Sequence, residues 1–163
     1  MQINARLELP SFDYDAYVLA LQRIALETIS RASLEYITTA LSIIPVYGGA
    51  SHATFTALAE AAGVPLQINP IARNRIAEGI AASDGGIESN GNEYSFTYQT
   101  SLPHLNVNER ENVNERGFNL RNPGPYNFRQ AANAAAEQVI GTIVGPDPRL
   151  FIRITPRNAR INL

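Results

Sequence analysis

The 163-residue chain contains no cysteine, no tryptophan and no lysine. The missing cysteines exclude disulfides, thiolate chemistry and cysteine-rich zinc sites together, and leave the redox compartment undetermined. No stretch approaches the ~20 consecutive apolar residues of a membrane span, and Met1-Gln2-Ile3-Asn4-Ala5-Arg6 lacks the apolar run of a signal peptide. We therefore expect a protein made and used in a cytoplasm, with no membrane partner. Charge is scarce, with 17% Asp, Glu and Arg and a formal net charge of −2. That balance disfavours nonspecific nucleic-acid binding driven by the field of the whole molecule. All 13 basic residues are arginines, and Arg149, Arg153, Arg157 and Arg160 follow Asp147 with no further acid. Guanidinium groups suit interfaces, although a genomic preference for arginine codons explains the same usage equally well.

What is present fits one structural domain over residues 1–163, large enough to bury roughly 68–70% of its unfolded surface. Ile3, Ala5, Leu7 and Leu9 alternate with polar residues, predicting a strand or arm over 2–9 that Pro10 stops. From Asp13 to Ile43 the period changes. Tyr14, Val18, Leu21, Ala25, Ile29, Ala32, Tyr36 and Ala40 form one stripe of a long helix, which Asp13 or Ser11 caps. Arg23, Glu27, Arg31 and Glu35 alternate in sign every four residues and mark its wet face. At 1.5 Å per residue the helix is roughly 45 Å long, more than a domain of this size needs for its own core. Part of it is expected to lie against a neighbour.

Pro45 and Gly48-Gly49 end that helix, Ser51 caps a second one running to Ala62, and Gly63 stops it. Asn69-Pro70 opens a short third helix to about Ala82. Asn90-Gly91 reads as a type I′ hairpin turn, followed by a strand whose Tyr94, Phe96 and Tyr98 face the core. A tandem element, Asn106-Val107-Asn108-Glu109-Arg110 and Asn112-Val113-Asn114-Glu115-Arg116, lies in a long polar loop over 103–125. A last helix from Asn127, with Asn127 and Gln130 as a capping box, runs to about Thr142 before Gly145-Pro146. Leu150, Ile152 and Ile154 predict a closing strand, and 156–163 a short basic tail. The fold class is α+β: a long N-terminal helix and a C-terminal helix packed on a small, mostly antiparallel sheet, with an extended loop and terminal arms.

No residues assemble an obvious reaction centre. Gly49-Ala50-Ser51-His52-Ala53 is one substitution from a nucleophile elbow, with His104 and Asp147 as partners on paper, but an elbow needs a strand entering where here a helix, a proline and two glycines precede. His52 and His104 lack a tight metal-ligand spacing. Gly48-Gly49 lacks the lysine and spacing of a phosphate loop. Paired carboxylates of the glycosidase kind are not identifiable from sequence, and Tyr94, Phe96 and Tyr98 suit a core better than a base-stacking platform. No catalytic, cofactor-binding or metal-binding residue is assigned.

The order of Ile44-Pro45-Val46-Tyr47-Gly48-Gly49-Ala50 after a long helix, then Tyr94-Ser95-Phe96-Thr97-Tyr98-Gln99-Thr100, Pro103-His104 with Asn108-Glu109, and Pro123-Gly124-Pro125-Tyr126 resembles the neck and tail-completion proteins of tailed bacteriophages. The resemblance spans about residues 12–142. Where related sequences place tryptophans, this chain has Tyr47 and Tyr126. The resemblance implies a tail-terminator-like virion subunit, assembled in the host cytoplasm as a homo-oligomer, a hexameric ring. Its partners would be neighbouring neck, connector or tail-tube proteins, with DNA passing unspecifically through the lumen. Candidate interface residues are Asn108, Glu109, Arg110, Asn114, Glu115, Arg116, Arg149, Arg153, Arg157 and Arg160. A head-closure (stopper) protein is the alternative. A hydrolase using Ser51 and His104, or a nucleic-acid-binding module using the C-terminal arginines, are the readings from other classes.

Overall fold

The structure is a computed structural model that describes residues 2–46, 49–63, 66–67, 69–102, 105 and 124–162. Contacts divide the chain into two compact units, Met1–Ala25 with Val144–Leu163, and Leu26–Ile143. The architecture is mixed helix and sheet. Among the described residues there are five α-helices, including a long N-terminal and a C-terminal one, and two small antiparallel sheets in place of the single sheet expected.

In the first unit, β1 (Gln2–Phe12) pairs with β4 (Ile152–Asn162) in unbroken antiparallel register from Gln2↔Asn162 to Phe12↔Ile152. The strand therefore continues through Pro10, and the segment beyond Pro156, expected to be a free tail, is paired. The reason lies in the alternation of an antiparallel ladder. The Asp13 N–H donates to the Phe151 carbonyl at 2.9 Å, so the odd-numbered positions of β1 make the ladder bonds and the even-numbered ones do not. Pro10↔Ile154 and Glu8↔Pro156 both fall on even positions, where a ladder donor is not needed. Leu150, expected in the closing strand, belongs instead to a 3-10 helix, Pro148–Phe151, capped by Asp147 accepting the Arg149 amide at 3.0 Å.

Helix α1 (Tyr14–Ile43) begins where β1 ends. Asp13 caps it as expected, its Oδ1 accepting the Ala16 N–H at 3.1 Å. Phe12, Tyr17 and Phe151 pack edge to face beside the cap, with centroids 5.4 Å apart for Phe12 and Tyr17 and 5.3 Å for Tyr17 and Phe151. Arg23, Glu27, Arg31 and Glu35 are all exposed, so the predicted wet face is the real one.

The second unit is built around α2 (Ala50–Ala61), whose first ten residues are all buried. A helix enclosed on every side must satisfy its polar groups within itself. Thr54 donates to the Ala50 carbonyl at 3.0 Å and Thr56 to that of His52 at 2.7 Å. Ser51 is not the cap: Ala53 N–H already donates to the Gly49 carbonyl at 2.8 Å, so the helix starts two residues earlier and encloses the serine. Gly63 follows the end of the helix in the left-handed conformation, as expected.

The predicted third helix is two short ones, α3 (Pro70–Arg73) and α4 (Ile76–Ala82), with Asn69 capping the first through the Ile71 amide at 2.9 Å. Gly79, which interrupts the helical pattern in sequence, is where α4 meets the backbone of α2. A Cβ there would lie 2.4 Å from the Ala53 carbonyl carbon. The hairpin comprises β2 (Ser83–Asn90) and β3 (Glu93–Thr100). Its register, Asn90↔Glu93, makes the turn Gly91-Asn92, one residue later than predicted, and Gly91 at φ +65 occupies the first turn position, as a type II′ turn requires.

Phe96 and Tyr98 face the core as predicted and join Tyr36 of α1, Phe55 of α2 and Phe128 of α5 (Phe128–Ile140) in one aromatic cluster. The capping box at α5 does not form. Asn127 sits at φ +50, left-handed and not extended, and makes no side-chain cap bond. The helix ends at Ile140 with Gly141 as its C-cap, ahead of Gly145-Pro146.

Candidate interaction surface

Of the residues weighed for catalysis or metal binding, those that the structure describes make contacts within the fold. His52 is buried in α2 with Nε2 3.2 Å from the Ile44 carbonyl oxygen, a bond that ties the end of α1 to α2. Ser51 is buried beside it, and His104 lies outside the described residues. Asp147 is occupied by the Arg149 guanidinium at 2.9 Å, which holds its carboxyl below the ordinary aspartate value. Among the described residues, no three of His, Asp and Glu gather closely enough to hold a metal ion. An open hollow of about 530 Å³ at the hairpin tip is lined by Glu88, Ser89, Asn90, Glu93, Tyr94 and Ser95. Two solvated carboxylates there have no charge-bearing partner lining the same hollow.

Of the ten candidate interface residues, Asn108, Glu109, Arg110, Asn114, Glu115 and Arg116 lie outside the described residues, as does most of the 103–125 loop. The four C-terminal arginines are brought to one short 3-10 helix and one strand. Arg149 precedes β4, while Arg153, Arg157 and Arg160 stand opposite Ser11, Leu7 and Asn4 of β1. Arg153 has a partner within the chain, the carboxylate of Asp13. Residues 157–162, expected to belong to a short basic tail, form the strand that pairs with Gln2–Leu7.

The surface that sequence reasoning only half identified is the N-terminal part of α1. Within the first unit the helix carries Tyr14, Val18 and Leu19, and within the second Ala32, Tyr36 and Ile37. The second set is buried and the first is exposed: Ile37 is 0% accessible and Leu19 67%, Ala32 2% and Tyr14 72%. These apolar side chains of α1 are thus exposed in the first unit and buried in the second. Tyr14 and Val18 belonged to the predicted stripe. Leu19 did not, because it lies between the charged Asp15 and Arg23 at spacings of four, beside the row read as wet. Contiguous exposed apolar side chains of this kind mark protein contact surfaces more often than they mark solvent faces.

No helix among the described residues is long and apolar enough to cross a membrane. No known protein family, curated protein or solved structure matches the chain.

Proposed function

We propose that this chain is a structural subunit of a larger protein assembly and that its work is contact between proteins, not turnover of a small molecule. The observation that carries the reading is the exposed apolar surface of α1 in the first unit, with Tyr14 72% and Leu19 67% accessible. Apolar side chains left in water forfeit about 25 cal/mol for each Å² of apolar area, a cost that a partner removes. The buried hydrogen bonds of His52, Thr54 and Thr56 support the same reading, because they spend the polar groups of α2 on the fold itself.

Within that class we favour a ring-forming neck or tail-completion subunit of a tailed bacteriophage, of the tail-terminator kind, positioned in the virion against connector or tail-tube proteins with DNA passing through the ring. This finer assignment rests on the residue resemblance spanning 12–142. Electron microscopy and native mass spectrometry of the purified chain test it. Closed rings of six copies with a central opening are the expected result, and a chain that stays monomeric up to millimolar concentration sinks the proposal. Copy number and position in a particle then separate a terminator from a head-closure subunit.

A further inference from the structure

We infer that the outer edge of β1 pairs antiparallel with β1 of a second copy of this chain, about a two-fold axis at Leu7, so that two terminal ribbons join into one four-stranded sheet. The contact lies wholly within the first unit. It goes beyond the ring reading and does not depend on it.

The backbone supplies the first argument. Among the described residues, β1 and β4 form a sheet of two strands. Such a ribbon is marginal in water and gains stability from further strands or from a helix packed on it. The odd-numbered residues make the bonds between β1 and β4, so the even-numbered ones direct their N–H and C=O groups to the two outer edges. Those edges differ. Pro156 stands at an outward position near the middle of β4 and removes the donor there, which blunts that edge. On β1 the outward residues Gln2, Asn4, Arg6 and Glu8 all keep their N–H, and Pro10 falls only near the end. One edge is thus open to strand addition over 2–8, and the other is interrupted.

Register and residue type supply the second argument, and they select the partner. Ile3, Ala5, Leu7 and Leu9 share one side of the ribbon with Ala159 and Ile161, whereas Asn4, Arg6 and Glu8 belong to the other. Within the ribbon Arg6 is opposite Asn158 and Glu8 is opposite Pro156, so neither has an opposite charge directly across the ladder. Antiparallel pairing of β1 with itself about Leu7 sets Arg6 of each copy opposite Glu8 of the other, and both pairs form at once. The same register keeps apolar positions together, Leu7 against Leu7 and Ala5 against Leu9, and matches the outward backbone groups of Arg6 to those of Glu8. A shift of two residues in either direction places Arg6 against Arg6 or Glu8 against Glu8. The edge is therefore complementary to itself, which favours a second copy over a foreign strand. Pro156 at both outer edges then stops further growth, and the contact closes as an isologous pair.

The experiment uses the full chain, which contains no cysteine. Leu7 would lie on the axis at a position without ladder bonds, where facing Cα atoms are about 4.5 Å apart and a disulfide can form. Arg157 is opposite Leu7 on the same side of the ribbon, so in the joined sheet its two copies would be three strand spacings apart, roughly 14 Å. Mild oxidation should therefore cross-link Leu7→Cys to a dimer about tenfold faster, or more, than Arg157→Cys. Light scattering should show paired copies for the unmodified chain. Arg6→Glu and Glu8→Arg should each weaken the pairing about tenfold, because like charges then face each other. A mixture of these two variants, and the double exchange in one chain, should each restore it. Equal or inverted cross-linking at positions 7 and 157, undiminished pairing in the single variants, or no recovery in the mixture and the double exchange overturns the inference. Capture of a strand from a different protein by a chain that itself stays single also overturns it. Closed rings without cross-linking in Leu7→Cys overturn this pairing and leave the ring reading intact. Cross-linked pairs that never close into rings do the reverse.

Discussion

The carboxylate of Asp13 that caps α1 is also the partner of the Arg153 guanidinium: one oxygen accepts the Ala16 amide at 3.1 Å and the other pairs with Arg153. A helix start, a strand end and a strand beginning thereby meet at one side chain. The two interactions differ in worth. The capping carboxylate is largely shielded, while the Arg153 side chain is 73% exposed and its ion pair is screened by solvent.

Asp13→Ala should therefore cost about 1 kcal/mol, within the range for lost caps, and Arg153→Ala only ~0–1 kcal/mol. Amide hydrogen exchange is the discriminating measurement. Protection across Tyr14 to Tyr17 should fall in Asp13→Ala and stay close to that of the parent in Arg153→Ala. Equal loss in the two variants would show that the ion pair, and not the cap, holds the helix start.

Gly79 has no room for a side chain, since a Cβ would meet the Ala53 carbonyl carbon at 2.4 Å and its oxygen at 2.5 Å. Backbone on both sides must separate, so Gly79→Ala should cost at least the upper part of the ~1–3 kcal/mol range for overpacking. Gly63 is the control: nothing lies within 4 Å of its Cβ position, and only its left-handed backbone at φ +68 resists substitution. Gly63→Ala should cost about 1 kcal/mol. Urea midpoints of the two variants should rank accordingly.

The hydroxyls of Tyr36 and Tyr98 lie 2.5 Å apart and join α1 to β3 inside the aromatic cluster. Removing either hydroxyl takes away the same hydrogen bond, worth about 1 kcal/mol net, and leaves its partner short of one. Tyr36→Phe and Tyr98→Phe should each destabilise the chain, and the double variant should be less damaged than the sum of the two. Strict additivity in denaturant unfolding would show that the two hydroxyls are stabilised by other neighbours.

Burial raises the Tyr126 phenol above its ordinary value, because ionisation would place a charge on a half-buried ring. The folded pKa is the higher one, so this group's contribution to stability is complete below the ordinary tyrosine range, about pH 10, and is lost as pH rises through the folded value. Stability should decline above about pH 10, and less steeply in Tyr126→Phe than in the parent. Melting temperatures measured between neutral and alkaline pH, at fixed ionic strength, check the slope.

Several features were legible in the chain because their signals are local. The 3.6-residue period and Asp13 define α1, Asn69-Pro70 defines the start of α3, and the alternation of Tyr94, Phe96 and Tyr98 defines the inward side of β3. Each depends on residues within a few positions of one another, where backbone sterics and capping act regardless of the rest of the fold. The candidate site was legible in part for the same reason: an overlong amphipathic helix announces itself, but which portion stays uncovered does not follow from periodicity.

What only the tertiary structure decided is long-range. Ser83–Asn90 has two glycines, five polar or charged residues and little alternation, and it becomes β2 because β3 supplies its ladder partners. The two termini pair across more than a hundred residues, and their prolines are tolerated because the register sets both at positions that need no ladder donor. Ten consecutive buried residues in α2 and the missing side chain at Gly79 express how closely the neighbouring helix approaches. Local sequence determines the conformation a segment prefers, whereas contacts between distant segments determine which of its faces leaves water, and in this chain that second choice buries Ile37 of α1 and all of Ala50–Ala59 of α2.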